Sequence, residues 1–146
     1  MAADERRKHI LVINDVPVLL EVFRDLLEGE GYRVSLDNFS DFDLAGKLAD
    51  VKRLKPDALI LDFVFGGEPL GWQLLQLLKL DRATERIPVV VCTAAAAQVK
   101  DLEGHLRTMG VATVLKPFDI DTLLAAVTQA LAGGPVAVGL SPAPPE

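Results

Sequence analysis

The chain has 146 residues, 50% hydrophobic and 25% charged, with a formal net charge of −6. That length suits one domain able to bury roughly two thirds of its unfolded surface, and the composition is that of a globular protein, not a disordered one. The acidic balance argues against a dedicated nucleic-acid binder, a single cysteine (Cys92) excludes an internal disulfide framework, and no apolar run approaches the roughly 18 residues of a membrane span.

Residues 1–8 read as a charged leader. Arg6-Arg7-Lys8 precede apolar Ile10–Ile13, but Asn14-Asp15 end that run too soon for a signal peptide, so a cytoplasmic location is expected. Ile10–Ile13 predicts a first strand. Apolar positions 18, 19, 22, 23, 26 and 27 then predict a helix that buries this stripe, ended by Gly29 and Gly31. Tyr32–Leu36 alternates like a strand. Ser40 and Asp43 have the spacing of a capping box, opening a second helix with Leu44, Leu48 and Val51 on one side and Pro56 beyond its end.

Ala58–Leu61 predicts the third strand and Leu70–Leu80 the third helix. Ile87–Cys92 is a continuous apolar run, the pattern of a parallel strand covered on both faces. One further helix is expected over about Ala96–Thr108, closed by Gly110, followed by a strand over Val111–Leu115. A last helix over Ile120–Leu131 has Asp119 as N-cap and Ile120, Leu123, Leu124, Val127 and Leu131 inward. Strand and helix thus alternate through five repeats, which implies right-handed crossovers and a doubly wound parallel α/β sheet with five helices. Residues 9–132 form that domain; residues 133–146, with four prolines and no periodicity, read as a flexible tail.

In such sheets ligands bind beyond the carboxyl ends of the strands. The polar residues at those ends are Asn14-Asp15, Asp62, Thr93 and Lys116. Taken singly, Asp15 could cap a helix, Thr93 could open one and Lys116 could be a solvated loop residue. Asp62 is different, because it interrupts the apolar run Leu59–Phe65 and an uncompensated buried carboxylate costs several kcal/mol or more. Two carboxylates with a backbone carbonyl suit Mg²⁺, which takes oxygen ligands and keeps several waters. A threonine hydroxyl and a lysine ammonium beside it suit phosphoryl oxygens, leaving one Asp62 oxygen as the nucleophile of an aspartyl phosphate. Ala94 is small enough to let a phosphate reach the backbone N–H.

Asn14-Asp15, Leu-Ile-Leu-Asp62, Val-Cys-Thr93-Ala94 and Leu-Lys116-Pro117-Phe118 together resemble the receiver domain of bacterial two-component response regulators over about residues 8–132. The resemblance implies a flavodoxin-like sheet of order 2-1-3-4-5 and phosphorylation of Asp62 by a sensor histidine kinase or a histidine phosphotransfer protein. It also implies Mg²⁺ held by Asp15, Asp62 and the Val64 carbonyl, with Asn14 acting through water. Thr93, Lys116 and the Ala94 N–H would contact the phosphoryl group. A downstream protein would use the face made by the helix after Ala94, the fifth strand and the final helix. The chain then reads as a stand-alone phosphorylation switch that assists only its own phosphorylation and dephosphorylation, is not otherwise an enzyme, engages neither nucleic acid nor membrane, and is a monomer or weak homodimer.

Three departures from the family pattern are visible. Asn14 stands where the family usually has an acidic residue, which weakens Mg²⁺ binding. The glycine usually eight residues after the phosphoacceptor is Gly71, nine after Asp62. Thr113 stands three residues before Lys116, where the family often has a switching aromatic. The first two favour an alternative, a pseudo-receiver that binds proteins without cycling phosphate. A small hydrolase of the aspartyl-phosphate type ranks last, since the acid/base position two residues after Asp62 is Val64. His9, His105, Cys92 and Trp72 read as structural or solvated.

Overall fold

The computed structural model describes residues 7–38, 43–63, 69–94, 96–115 and 119–132. Five strands, β1 (His9–Ile13), β2 (Arg33–Asp37), β3 (Ala58–Leu61), β4 (Val89–Thr93) and β5 (Ala112–Leu115), form one parallel sheet of order β2-β1-β3-β4-β5. The expected doubly wound order is therefore present. The described helices are α1 (Pro17–Gly29), α2 (Leu44–Leu54), α3 (Leu70–Leu80), α4 (Ala96–Asp101), α5 (Glu103–Met109) and α6 (Ile120–Ala132). None is long and apolar enough to cross a membrane.

Why the strands read as unbroken apolar runs is plain from the layers. β1, β3 and β4 are buried along their whole lengths, because helices cover both faces of the sheet. Alternate residues feed two cores. Leu11, Ile13, Leu59, Leu61, Val89 and Val91 meet Val51, Leu74, Leu78, Val99 and Leu106 of α2–α5 on one face. On the other, Ile10, Val12, Ile60, Val90, Cys92 and Val114 meet Phe23 and Leu27 of α1 and Leu123 and Val127 of α6. Cys92 is free and buried, a small hydrophobe as expected.

Several helix expectations need correction. The expected single helix over Ala96–Thr108 is two, so the architecture has six helices among the described residues instead of five. Leu102 breaks the run: its N–H turns back to the Val99 carbonyl at 3.2 Å, and its own carbonyl starts α5 by accepting the Leu106 N–H at 2.9 Å. The half-buried Leu102 side chain packs on the core instead of continuing a solvent-facing helix. On α1 the inward residues are Leu20, Phe23 and Leu27, while Val18 and Val22 are 72% and 41% exposed. The stripe is thus rotated from the one periodicity suggested. At α2 Asp43 is itself the N-cap, its carboxylate accepting the Gly46 N–H at 3.1 Å. Ser40, the other half of the expected capping box, lies outside the described residues. At α6 the Asp119 carbonyl accepts the Leu123 N–H and its carboxylate the Thr122 hydroxyl, at 3.1 and 3.3 Å, but Ile120 is exposed, not inward.

The polar contacts of Lys47 and His9 are not visible in the sequence. Lys47 of α2 places its ammonium on both oxygens of Asp37, at 2.9 and 3.1 Å, and within 3.5 Å of Asp50. This ties α2 to the carboxyl end of the edge strand β2. His9, buried at the start of β1, has Nε2 at 2.7 Å from Ser35 Oγ and donates its backbone N–H to Asp57 at 2.7 Å. Burial, reinforced by the Arg33 guanidinium and opposed by Asp57, lowers the His9 imidazole pKa below its ordinary 6.5.

The neutral ring is therefore favoured by folding, and the unfolded chain binds the proton more readily. Stability contributed by His9 is fully present above pH about 6.5 and is lost as pH falls from there through the lowered folded value. Denaturant unfolding at pH 7.5 and 5.0 should show a larger loss in wild type than in His9→Gln, which keeps a hydrogen-bonding group for Ser35 without the titration. Equal losses in the two proteins would discard this account.

Candidate functional site

β1 and β3 lie side by side at the point where the strand order reverses, with Ile13 opposite Leu61. The next residue of each strand is polar: Asn14 and Asp62. The Asp62 N–H donates to the Ile13 carbonyl at 3.3 Å, which fixes the backbone of Asp62 against the end of β1. Asp62 is 9% exposed, so its carboxylate sits at the rim of the sheet and is neither deep in the core nor free in solvent. Thr93 ends β4, buried, and Ala94 beyond it is exposed. The register that sets Leu61 opposite Val91 puts Thr93 one step further along the same edge.

Asn14 is almost fully buried. Its N–H donates to the Asp37 carbonyl at 3.1 Å, and its Oδ1 accepts the Val16 N–H at 2.8 Å. The side chain thus closes an Asx turn that leads into α1, where Val16 makes no side-chain cap of its own. One lone pair of that oxygen remains for a water. Asp15, next in the chain, is exposed.

The position of Asp62 is further fixed by α3. Gly71 donates its N–H to the Phe63 carbonyl at 2.9 Å, and a Cβ placed on it would overlap the Asp62 carbonyl oxygen and lie 2.7 Å from the carbonyl carbon. Only glycine lets the first turn of α3 lie flat against the backbone of Asp62 and Phe63. The glycine at this place is the one found nine residues after Asp62, so the longer connection still delivers a close backbone contact. Val64 and Lys116 lie outside the described residues.

Thr113 is fully buried on β5 opposite Val91, and its Oγ1 is, among the described residues, the buried side-chain polar atom without a hydrogen-bond partner. Trp72 stands edge-on to Phe63, with ring centroids 5.9 Å apart, and 6.2 Å from His105. Trp72 therefore packs against neighbours of α3, as the sequence suggested, and His105 is exposed.

Among the described residues the polar side chains at this edge carry oxygens: the Asn14 amide, the Asp62 carboxylate and the Thr93 hydroxyl, with exposed Asp15 next to Asn14 in the chain. Among the described residues no group of three or more His, Cys, Asp or Glu side chains gathers as a metal cluster. Carboxylate and amide oxygens of this kind would suit a hard, partly hydrated cation such as Mg²⁺ better than zinc or copper.

The description "Response regulator receiver domain" matches residues 10–128. The chain belongs to the response regulator receiver family. It is 33% identical over 120 residues to the phosphate regulon transcriptional regulatory protein PhoB of Rhizobium meliloti, covering 81% of this chain and 49% of that protein. It is 31% identical over 124 residues to the DNA-binding response regulator MtrA of Mycolicibacterium smegmatis, covering 85% and 50%. The chain thus spans about half the length of the curated relatives it matches. Among solved structures, a sensor protein from Polaromonas sp. JS666 superposes with a TM-score of 0.73 at 25% identity, covering 87% of this chain and 98% of that one. The receiver domain of sensor histidine kinase PA1611 from Pseudomonas aeruginosa, solved with magnesium in its active site cleft, has the same fold (TM-score 0.69, 23% identity, 86% and 98% covered). This receiver is accordingly a signalling domain of two-component systems.

Because Gly71 has no room for a side chain, Gly71→Ala should push α3 away from β3 and destabilise the receiver by about 1–3 kcal/mol, the usual cost of overpacking. Denaturant unfolding checks this; a loss within error of zero would mean that α3 adjusts freely and does not brace Asp62.

Proposed function

We propose that this receiver accepts a phosphoryl group on Asp62 from a phosphohistidine donor, a sensor histidine kinase or histidine phosphotransfer protein, and passes the change to a downstream protein. The observation that carries the reading is the placement of Asp62. It is a carboxylate at the rim of an otherwise apolar strand, beside the end of β1 and on the same edge as Thr93.

In the proposed step an Asp62 carboxylate oxygen attacks phosphorus, a P–O bond forms, the P–N bond to the donor imidazole breaks, and the imidazole leaves with the bonding pair. Asp15, Asp62 and the Val64 carbonyl would hold Mg²⁺ and Asn14 would act through water; when bound, the ion neutralises charge on the phosphoryl oxygens. The Thr93 hydroxyl, the Ala94 N–H and the Lys116 ammonium would take those oxygens. The downstream surface would be the face built from α4, α5, β5 and α6. Asn14 also favours a second reading, a protein-binding module that does not cycle phosphate, because it leaves the site one charge short of two adjacent acids.

Asp62→Asn should abolish the mass increase of one phosphoryl group seen after incubation with Mg²⁺ and acetyl phosphate, while wild type gains it. Intact-mass measurement decides: no gain in wild type selects the second reading, and an undiminished gain in Asp62→Asn removes Asp62 from its role.

Asn14→Asp adds an anion beside the cation while keeping an oxygen for the Val16 N–H. It should tighten Mg²⁺ binding by roughly ten-fold, since a unit charge pair near a protein surface is worth a few kcal/mol before desolvation is subtracted. A calorimetric or fluorescence titration showing unchanged or weaker binding contradicts the placement of Asn14 beside the ion.

A further inference from the structure

Thr113, buried on β5 opposite Val91, has neither a ring nor a hydrogen-bond partner among the described residues. A file of rings does reach the surface. Phe63, 1% exposed, directly follows Asp62. Its ring lies 5.9 Å from that of Trp72 with the planes at 72°, and Trp72 lies 6.2 Å from His105 at 62°. His105 is exposed on α5, which the fully buried Leu106 anchors in the core.

We propose that the Phe63–Trp72–His105 file carries the state of Asp62 to the outer face of α5. The proposal rests on Asp62 as the phosphoacceptor. Trp72 is keyed to Asp62 twice: through the Phe63 ring, and through Gly71, whose N–H holds the Phe63 carbonyl at 2.9 Å and which lies so close to the Asp62 carbonyl that a Cβ would have no room. A close-packed interior transmits such displacements because it has no free volume in which to absorb them. A shift of the Asp62 backbone when its carboxylate becomes an acyl phosphate therefore has to move the Phe63 ring, the first turn of α3, or both. Either displaces Trp72 against His105. Thr113 offers no comparable lever, since a methyl and a hydroxyl opposite Val91 leave nothing to swing.

The test uses the whole chain at constant pH with Mg²⁺ and acetyl phosphate, following phosphoryl uptake by intact mass in the same samples. Trp72 is the single tryptophan of the chain, so its fluorescence reports directly, and the His105 ring protons are followed by NMR. Phosphorylated wild type should shift both signals, and Thr113→Val should respond like wild type. Phe63→Leu, still phosphorylated, should show a His105 response smaller by about three-fold or more. If Phe63→Leu does not fold, Trp72→Leu at its half-buried site replaces it, with amide exchange over residues 103–109 as the readout. Phosphoryl uptake without any His105 response, an undiminished response in Phe63→Leu (for Trp72→Leu, undiminished exchange changes), or loss of the response in Thr113→Val overturns the file alone. Absence of uptake in wild type overturns the phosphoacceptor reading and the file with it.

Discussion

The constraint on which everything else depends is that the central strands are covered on both faces. β1, β3 and β4 leave no buried position for a charge along their lengths, since each face is filled by its own helices. Polar side chains of these strands are driven to the ends, and in a parallel sheet the carboxyl ends lie together. Chemistry collects at one rim because the interior excludes it. His9 at the opposite end obeys the same rule: it enters the sheet neutral, with Ser35 and Asp57 satisfying it.

Around that rim the backbone is held from three sides. β1 holds Asp62 through the Ile13 carbonyl, α3 holds it through Gly71, and Asn14 ties the end of β1 to both β2 and the entry of α1. Such bracing would suit the role proposed for Asp62, because misplacement by about 1 Å reduces the rate of an oriented reaction. Asn14 serves the fold and the site at once. Its amide closes the turn before α1 as well as an aspartate would, while giving up a charge that a divalent cation would use. The buried Lys47–Asp37 pair secures α2 to the same edge, so the helices beside the site are pinned by polar contacts and not by packing alone.

The aromatic file and the Thr113 hydroxyl, unpaired among the described residues, occupy different parts of the interior. A buried hydroxyl without a partner costs about 1–3 kcal/mol relative to a satisfied one. The space beside Val91 is thus filled by a group that stabilises poorly. Trp72 lies between the ring of Phe63, the residue after Asp62, and the exposed His105, so this contact joins α3 to α5.

Much was legible in the residues themselves. Continuous β-branched runs, glycine punctuation and the period of the helices determined five strands, their parallel pairing and the strand ends at which Asn14, Asp62 and Thr93 stand, because burial on both faces leaves a direct imprint on composition. What the sequence could not decide was rotation and interruption. The buried stripe of α1 turned out to be Leu20, Phe23 and Leu27, since the helix has apolar residues on several sides and only its docking on the sheet selects among them. The break at Leu102 follows from a side chain drawn into the core, a long-range contact with no local signal. Likewise, the Lys47–Asp37 pair, the partners of His9, the lack of clearance at Gly71 and the Phe63–Trp72–His105 file each join residues of different elements. Tertiary structure alone decides them, because such contacts depend on how the layers stack and not on which residues are neighbours in sequence.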